Sequence, residues 1–104
     1  MKNTYNPQST KRRDLANYTI QVCHKFYTDT NNLSKDFPGD NLSNFYEAYE
    51  NTINSLKVEL RLNGLLTDRV DKGLNRIVSE IKSGNNEHYE IHLNRLRVDL
   101  SKNI

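Results

Sequence analysis

Tyr46, Tyr49, Ile53, Leu56 and Leu60 follow one another at intervals of three, four, three and four residues. That rhythm places five large apolar side chains along one stripe of a long helix. A strand is excluded over this segment, because its apolar residues do not alternate with period two. Shorter stripes of the same kind recur elsewhere: Leu15, Tyr18, Val22 and Phe26, then Val70, Leu74, Ile77 and Ile81, then Tyr89, Leu93, Leu96 and Leu100. Helices with one apolar face bury those faces best against each other. The expected fold is therefore all-α, a single-domain antiparallel four-helix bundle. Ile53, Leu56, Leu74, Ile77, Leu93 and Leu96 are its expected shared core.

Punctuation in the chain sets the boundaries. Residues 1–9 are polar and include Pro7, which reads as a flexible arm ahead of a bundle over 10–104. Asp14 is a good N-cap, and the first helix is expected over about 14–30, fading through the poor helix formers Thr28 to Asn32. Pro38-Gly39 ends the connection that follows, and Asp40 stands where a second cap belongs. The second helix is expected over about 41–62, roughly 33 Å at 1.5 Å per residue, and Asn63-Gly64 stops it. Thr67 caps a third helix over 67–83, with Asp68 in its first turn. Ser83-Gly84-Asn85 breaks the chain before a fourth helix over 86–102. The last two connections are short, so helices two, three and four are expected to be antiparallel neighbours.

With 104 residues, the chain has the length of one domain. Apolar residues are only 35% of it and charged residues 27%, enough for one modest core if the apolar residues stay in stripes. No run is long enough to span a membrane, and Met1 to Pro7 lacks the apolar segment of a secretory signal. Cys23 has no second cysteine to pair with, which fits a reducing, cytoplasmic setting. Fifteen asparagines against two alanines is a bias shared by small proteins of AT-rich phages and plasmids.

No constellation of residues points to catalysis, a metal or a cofactor. His88 and His92 share a helix face at i, i+4 but supply half a tetrahedral site, and Glu90 falls one position late for the zincin motif. Cys23 lies beside the apolar stripe of its helix, where a thiol behaves as a small hydrophobe. Neither an enzyme nor a metalloprotein is expected.

Two features exceed what a bundle needs. The first is apolar residues off the stripes. Ile91 and Val98 lie about 180° from the Tyr89–Leu96 stripe, with Arg95 between them in sequence. Val58 and Leu62 lie similarly off the second helix's stripe, and Ile20 and Tyr27 widen the first. An uncovered apolar face of this sort suits a protein contact, with self or another chain. The second feature is basic charge at Lys11-Arg12-Arg13 and at Arg69, Lys72 and Arg76. In the first turn of a helix the former cluster would oppose the macrodipole, at about 0.3–1 kcal/mol per cation, which favours the later start at Asp14.

The leading expectation is a non-catalytic protein-binding module of the inhibitor, immunity or adaptor kind, docking through Ile91, Arg95, Val98, Val58 and Leu62. A compact, mildly basic helical bundle of this length resembles the bacteriocin immunity proteins in outline, a likeness of size and architecture. The alternative is a small nucleic-acid-binding regulator using Lys11, Arg12, Arg13, Arg69, Lys72 and Arg76. In that case, residues 67–83 would be the recognition helix of a helix-turn-helix. The mixed charge and the net +2 weigh against it.

Overall fold

The computed structural model describes residues 7–36 and 42–102, with side chains for 11–35 and 42–102. Among the described residues the chain forms four α-helices and no strand: α1 (Pro7–Asp36), α2 (Ser43–Leu62), α3 (Asp68–Ser83) and α4 (Asn86–Ser101). This is the expected all-α four-helix bundle. Residues 1–6 of the expected arm, and the expected turn and cap at Pro38, Gly39 and Asp40, lie outside the described residues.

Side-chain ties fix the direction of each helix. Lys57 meets Asp71 at 2.9 Å and Glu50 meets Lys82 at 2.7 Å, so α2 and α3 run antiparallel along their length. Glu80 lies 3.8 Å from His88 across the α3–α4 turn. Arg12 Nε donates to the Asn63 carbonyl at 3.0 Å, and Tyr49 Oη donates to Asp29 at 2.5 Å, which makes α1 antiparallel to α2. α1 and α3 each touch all three other helices, whereas among the described residues α2 and α4 make no close backbone contact. The bundle is thus closed across the α1–α3 diagonal, with α2 and α4 on opposite flanks.

α1 departs most from the sequence reading. It begins at Pro7, seven residues before Asp14, and runs to Asp36. Proline suits the first helical position, where its missing N–H would be unpaired anyway. Lys11, Arg12 and Arg13 therefore lie beyond the first turn, where the macrodipole penalty has faded. The apolar stripe is also displaced. Tyr18 is 52% exposed, whereas Val22 and Phe26 of the expected stripe are buried together with Ala16, Thr19, Cys23 and Thr30. Small and polar residues share the buried face of α1, and the pattern of large residues alone does not reveal them. Tertiary packing likewise carries the helix through Thr28 to Asn32, overriding weak local propensity. Aromatic rings join α1 to both flanks: Phe26 stacks on Tyr49 at 4.7 Å, and Tyr27 stacks on Tyr89 at 3.9 Å.

The six expected core residues Ile53, Leu56, Leu74, Ile77, Leu93 and Leu96 are all buried. Leu65, in the α2–α3 connection, is fully buried as well and was not foreseen. Its N–H donates to the Leu60 carbonyl at 2.8 Å while Gly64 N–H donates to Arg61. With Gly64 at φ +72°, this is a Schellman stop, whose characteristic apolar contact draws Leu65 in beside Leu60. The same motif ends α3 at Gly84, φ +75°, and Asn85 at once caps α4 by accepting from His88 N–H. Thr67 accepts from Val70 N–H at 3.2 Å, as its position predicts.

Candidate functional site

The α3–α4 pair encloses a groove of about 550 Å³. α3 contributes Arg69, Lys72, Gly73 and Arg76, and α4 contributes His92, Arg95, Leu96, Val98 and Asp99, with Asn94 and Lys102 completing the lining. Arg69, Lys72 and Arg76 follow the three-and-four spacing of one helix face, turned away from the buried Val70, Leu74 and Ile77. Gly73 falls between that cationic face and the core. It has ordinary helical φ, and a Cβ there would meet only Leu96 Cδ1, at 3.7 Å. Neither backbone strain nor a clash demands glycine at this position. Its missing side chain leaves the groove open above Leu96.

The groove's charge is uncompensated from within. Elsewhere, Lys25, Lys57 and Lys82 each pair with a carboxylate. Among the described residues Arg69, Lys72, Arg76 and Arg95 have no carboxylate within ion-pair distance. Like charges three and four residues apart on a helix each cost about 0.2–0.5 kcal/mol. Asp99 is the only carboxylate of the lining. Burial holds the His92 imidazolium below its ordinary range, and the nearby Arg76, Arg95 and His88 add to this against the opposing pull of Glu80. His92 is therefore neutral at pH 7, and the positive field comes from the arginines and lysines.

Two separate groups of sequence-selected residues meet here. Arg95 and Val98, selected as a protein contact, share the groove with Arg69, Lys72 and Arg76, selected as phosphate contacts. Ile91 lies two turns before Val98 on the same outward side of α4, and the two are 45% and 54% exposed. Val58 and Leu62 are also exposed, but they sit on α2, which among the described residues makes no close backbone contact with α4. The other basic cluster does not join the groove. Arg12 closes the C-terminal end of α2 through Asn63, a structural use for its charge. Arg13 lines a second hollow, between α1 and α4, with Arg97. Gly73 and Leu96 were missed as site residues. A glycine inside an otherwise regular helical stripe, flanked by cations, was the available signal.

The remaining candidates resolve into structure. The Cys23 thiol is fully buried, and desolvation pushes its pKa up to about 12, so the nucleophilic thiolate is scarce near neutrality. His24 Nδ1 lies 3.3 Å from Tyr89 Oη, a tie between α1 and α4. His88 Nδ1 lies 3.0 Å from Asn85 Nδ2 in the α4 cap, whereas His92 faces the groove. Among the described residues no three His, Cys, Asp or Glu side chains gather as a metal site would need, and no helix is long and apolar enough to cross a membrane. α2 and α3 run antiparallel, tied through Lys57–Asp71 and Glu50–Lys82. The chain matches no known family model, no curated protein and no solved structure.

Proposed function

We propose that this protein is a non-catalytic binding module, of the inhibitor, immunity or adaptor kind, that docks a protein partner across the α3–α4 groove. The observation that carries the reading is the convergence of four cations without a carboxylate partner among the described residues, Arg69, Lys72, Arg76 and Arg95, around the half-exposed Val98 and the gap that Gly73 leaves over the buried Leu96. An apolar centre with a charged edge is the usual anatomy of a protein contact. Ile91 extends the apolar surface along α4. Val58 and Leu62 form a separate patch on α2 and are secondary to this reading. The setting proposed is the cytoplasm, in keeping with the unpaired thiol of Cys23. A phage or plasmid origin rests on the asparagine bias alone.

The test is a paired one. Ile91→Ser with Val98→Ser should leave thermal unfolding nearly unchanged, since both side chains are about half exposed. It should weaken capture of the native partner at least about tenfold, because losing two aliphatic anchors can exceed roughly 1.4 kcal/mol. Val58→Ser with Leu62→Ser should leave capture intact. The opposite pattern would move the docking face to α2.

Nucleic-acid binding is the second reading, favoured by the same exposed Arg69, Lys72 and Arg76. Against it, the described residues of the groove lining include no Phe, Tyr or Trp ring on which a base could stack. A gel shift repeated at low and higher salt discriminates, since phosphate contacts weaken steeply with salt.

A further inference from the structure

We infer that the segment seated in the α3–α4 groove is an acidic, amphipathic stretch of polypeptide: carboxylates set around one large apolar side chain. The inference rests on the docking reading above and names the chemistry of its partner. Charge is the first argument. Arg69, Lys72, Arg76 and Arg95 repel one another and have no carboxylate partner among the described residues. A ligand bearing several carboxylates would relieve that repulsion and take bidentate bonds from the guanidinium groups.

The floor supplies the second argument. Gly73 carries no side chain, Leu96 lies beneath it, and Val98 is 54% exposed beside it. A small inorganic anion would satisfy the rim and leave the half-exposed Val98 wet. The volume of about 550 Å³ falls in the range of pockets that enclose a sizeable group, and an aliphatic or aromatic side chain fits the chemistry of the floor. A nucleic-acid strand would meet the cations equally well, but its bases would find no aromatic ring to stack on among the described lining residues.

The experiment uses the full chain and three fluorescent probes. One is a short synthetic peptide with glutamates around a central Leu-Phe pair, the second its glutamine counterpart, and the third a single-stranded oligonucleotide. Anisotropy should show the glutamate peptide binding, with affinity falling at least about tenfold for the glutamine peptide and again for Arg76→Gln with Arg95→Gln. Val98→Ser should weaken the glutamate peptide too. Circular dichroism confirms that the variants stay folded, as exposed side chains without internal partners allow.

The failures are distinguishable. If the glutamine peptide binds as tightly and Val98→Ser still weakens it, the acidic chemistry is wrong while the groove remains the docking site. If the oligonucleotide binds more tightly than either peptide with the same arginine dependence, both the inference and the protein-docking reading fall. Binding of neither peptide overturns the inference outright.

Discussion

Replacing Gly73 with alanine separates the demands of the fold from those of the groove. Within a helix, glycine is less favourable than alanine by about 0.8–1 kcal/mol, and part of that cost lies in the freer unfolded chain. The added Cβ would stand 3.7 Å from Leu96 Cδ1, an ordinary van der Waals distance, and the backbone there already has helical φ. No strain term therefore opposes the gain. The position is only half-buried, so the new methyl adds a fraction of the roughly 0.8 kcal/mol of a buried methylene. Gly73→Ala should stabilise the protein by about 1 kcal/mol and raise Tm by about 4–8 °C for a domain of this size. Urea unfolding with thermal melts measures the gain. The same substitution puts a methyl on the groove floor, so affinity for an acidic amphipathic peptide should fall several-fold. Such a trade of stability for function is common at binding sites. A loss of stability would show that the Cβ has no room and that the fold itself demands the glycine. A gain in stability with unchanged binding would show that Gly73 does not form the floor.

Further outcomes follow from single contacts. Leu65→Ala should cost about 2–5 kcal/mol in chemical denaturation, since the side chain is fully buried; a loss under about 1 kcal/mol would mean that it is not part of the core. Thr30 is buried with no hydrogen-bond partner for its hydroxyl, so Thr30→Val should stabilise by about 1 kcal/mol, and a destabilised variant would reveal a partner. Tyr49→Phe removes the bond to Asp29, whose carboxyl is held below its usual range first by that bond and then by Lys25. The loss, about 1 kcal/mol at neutral pH, should shrink as pH falls below the ordinary carboxylate range and Asp29 protonates. Cys23 should resist alkylation in the native protein. Its pKa is raised by burial from 9.0 to about 12, so its contribution to stability is complete below pH 9 and is lost as pH climbs towards 12.

The helices with a single buried face were the most legible in the sequence. The α2 stripe from Tyr49 to Leu60 and the α3 stripe from Val70 to Ile81 emerged with the right phase, because the buried positions of both helices are filled by large apolar residues. α1 was legible only in part: Val22 and Phe26 are buried as its stripe implies, but Ala16, Thr19 and Thr30, residues without a large apolar signature, share its interior. Pro7 looked like an arm residue, although its chemistry equally suits a helix start. Leu65 was overlooked because an apolar residue in a connection carries no periodicity; only the stop at Gly64 draws it inward. The site was legible in fragments. Arg95 and Val98 and the Arg69–Arg76 series each stood out on their own helix, but their meeting depends on the antiparallel pairing of α3 with α4. Arg12 shows the converse: a cation that looked free on the sequence is engaged at the C-terminal end of α2.

The most direct test of the groove as the docking site is amide and side-chain chemical-shift mapping while the glutamate-flanked peptide is titrated into the full chain. Shifts should concentrate at Arg69, Lys72, Gly73, Arg76, Arg95 and Val98, with Val58 and Leu62 on α2 undisturbed. Shifts centred on Val58 and Leu62, or on the Arg13–Arg97 hollow between α1 and α4, would contradict the assignment of this groove.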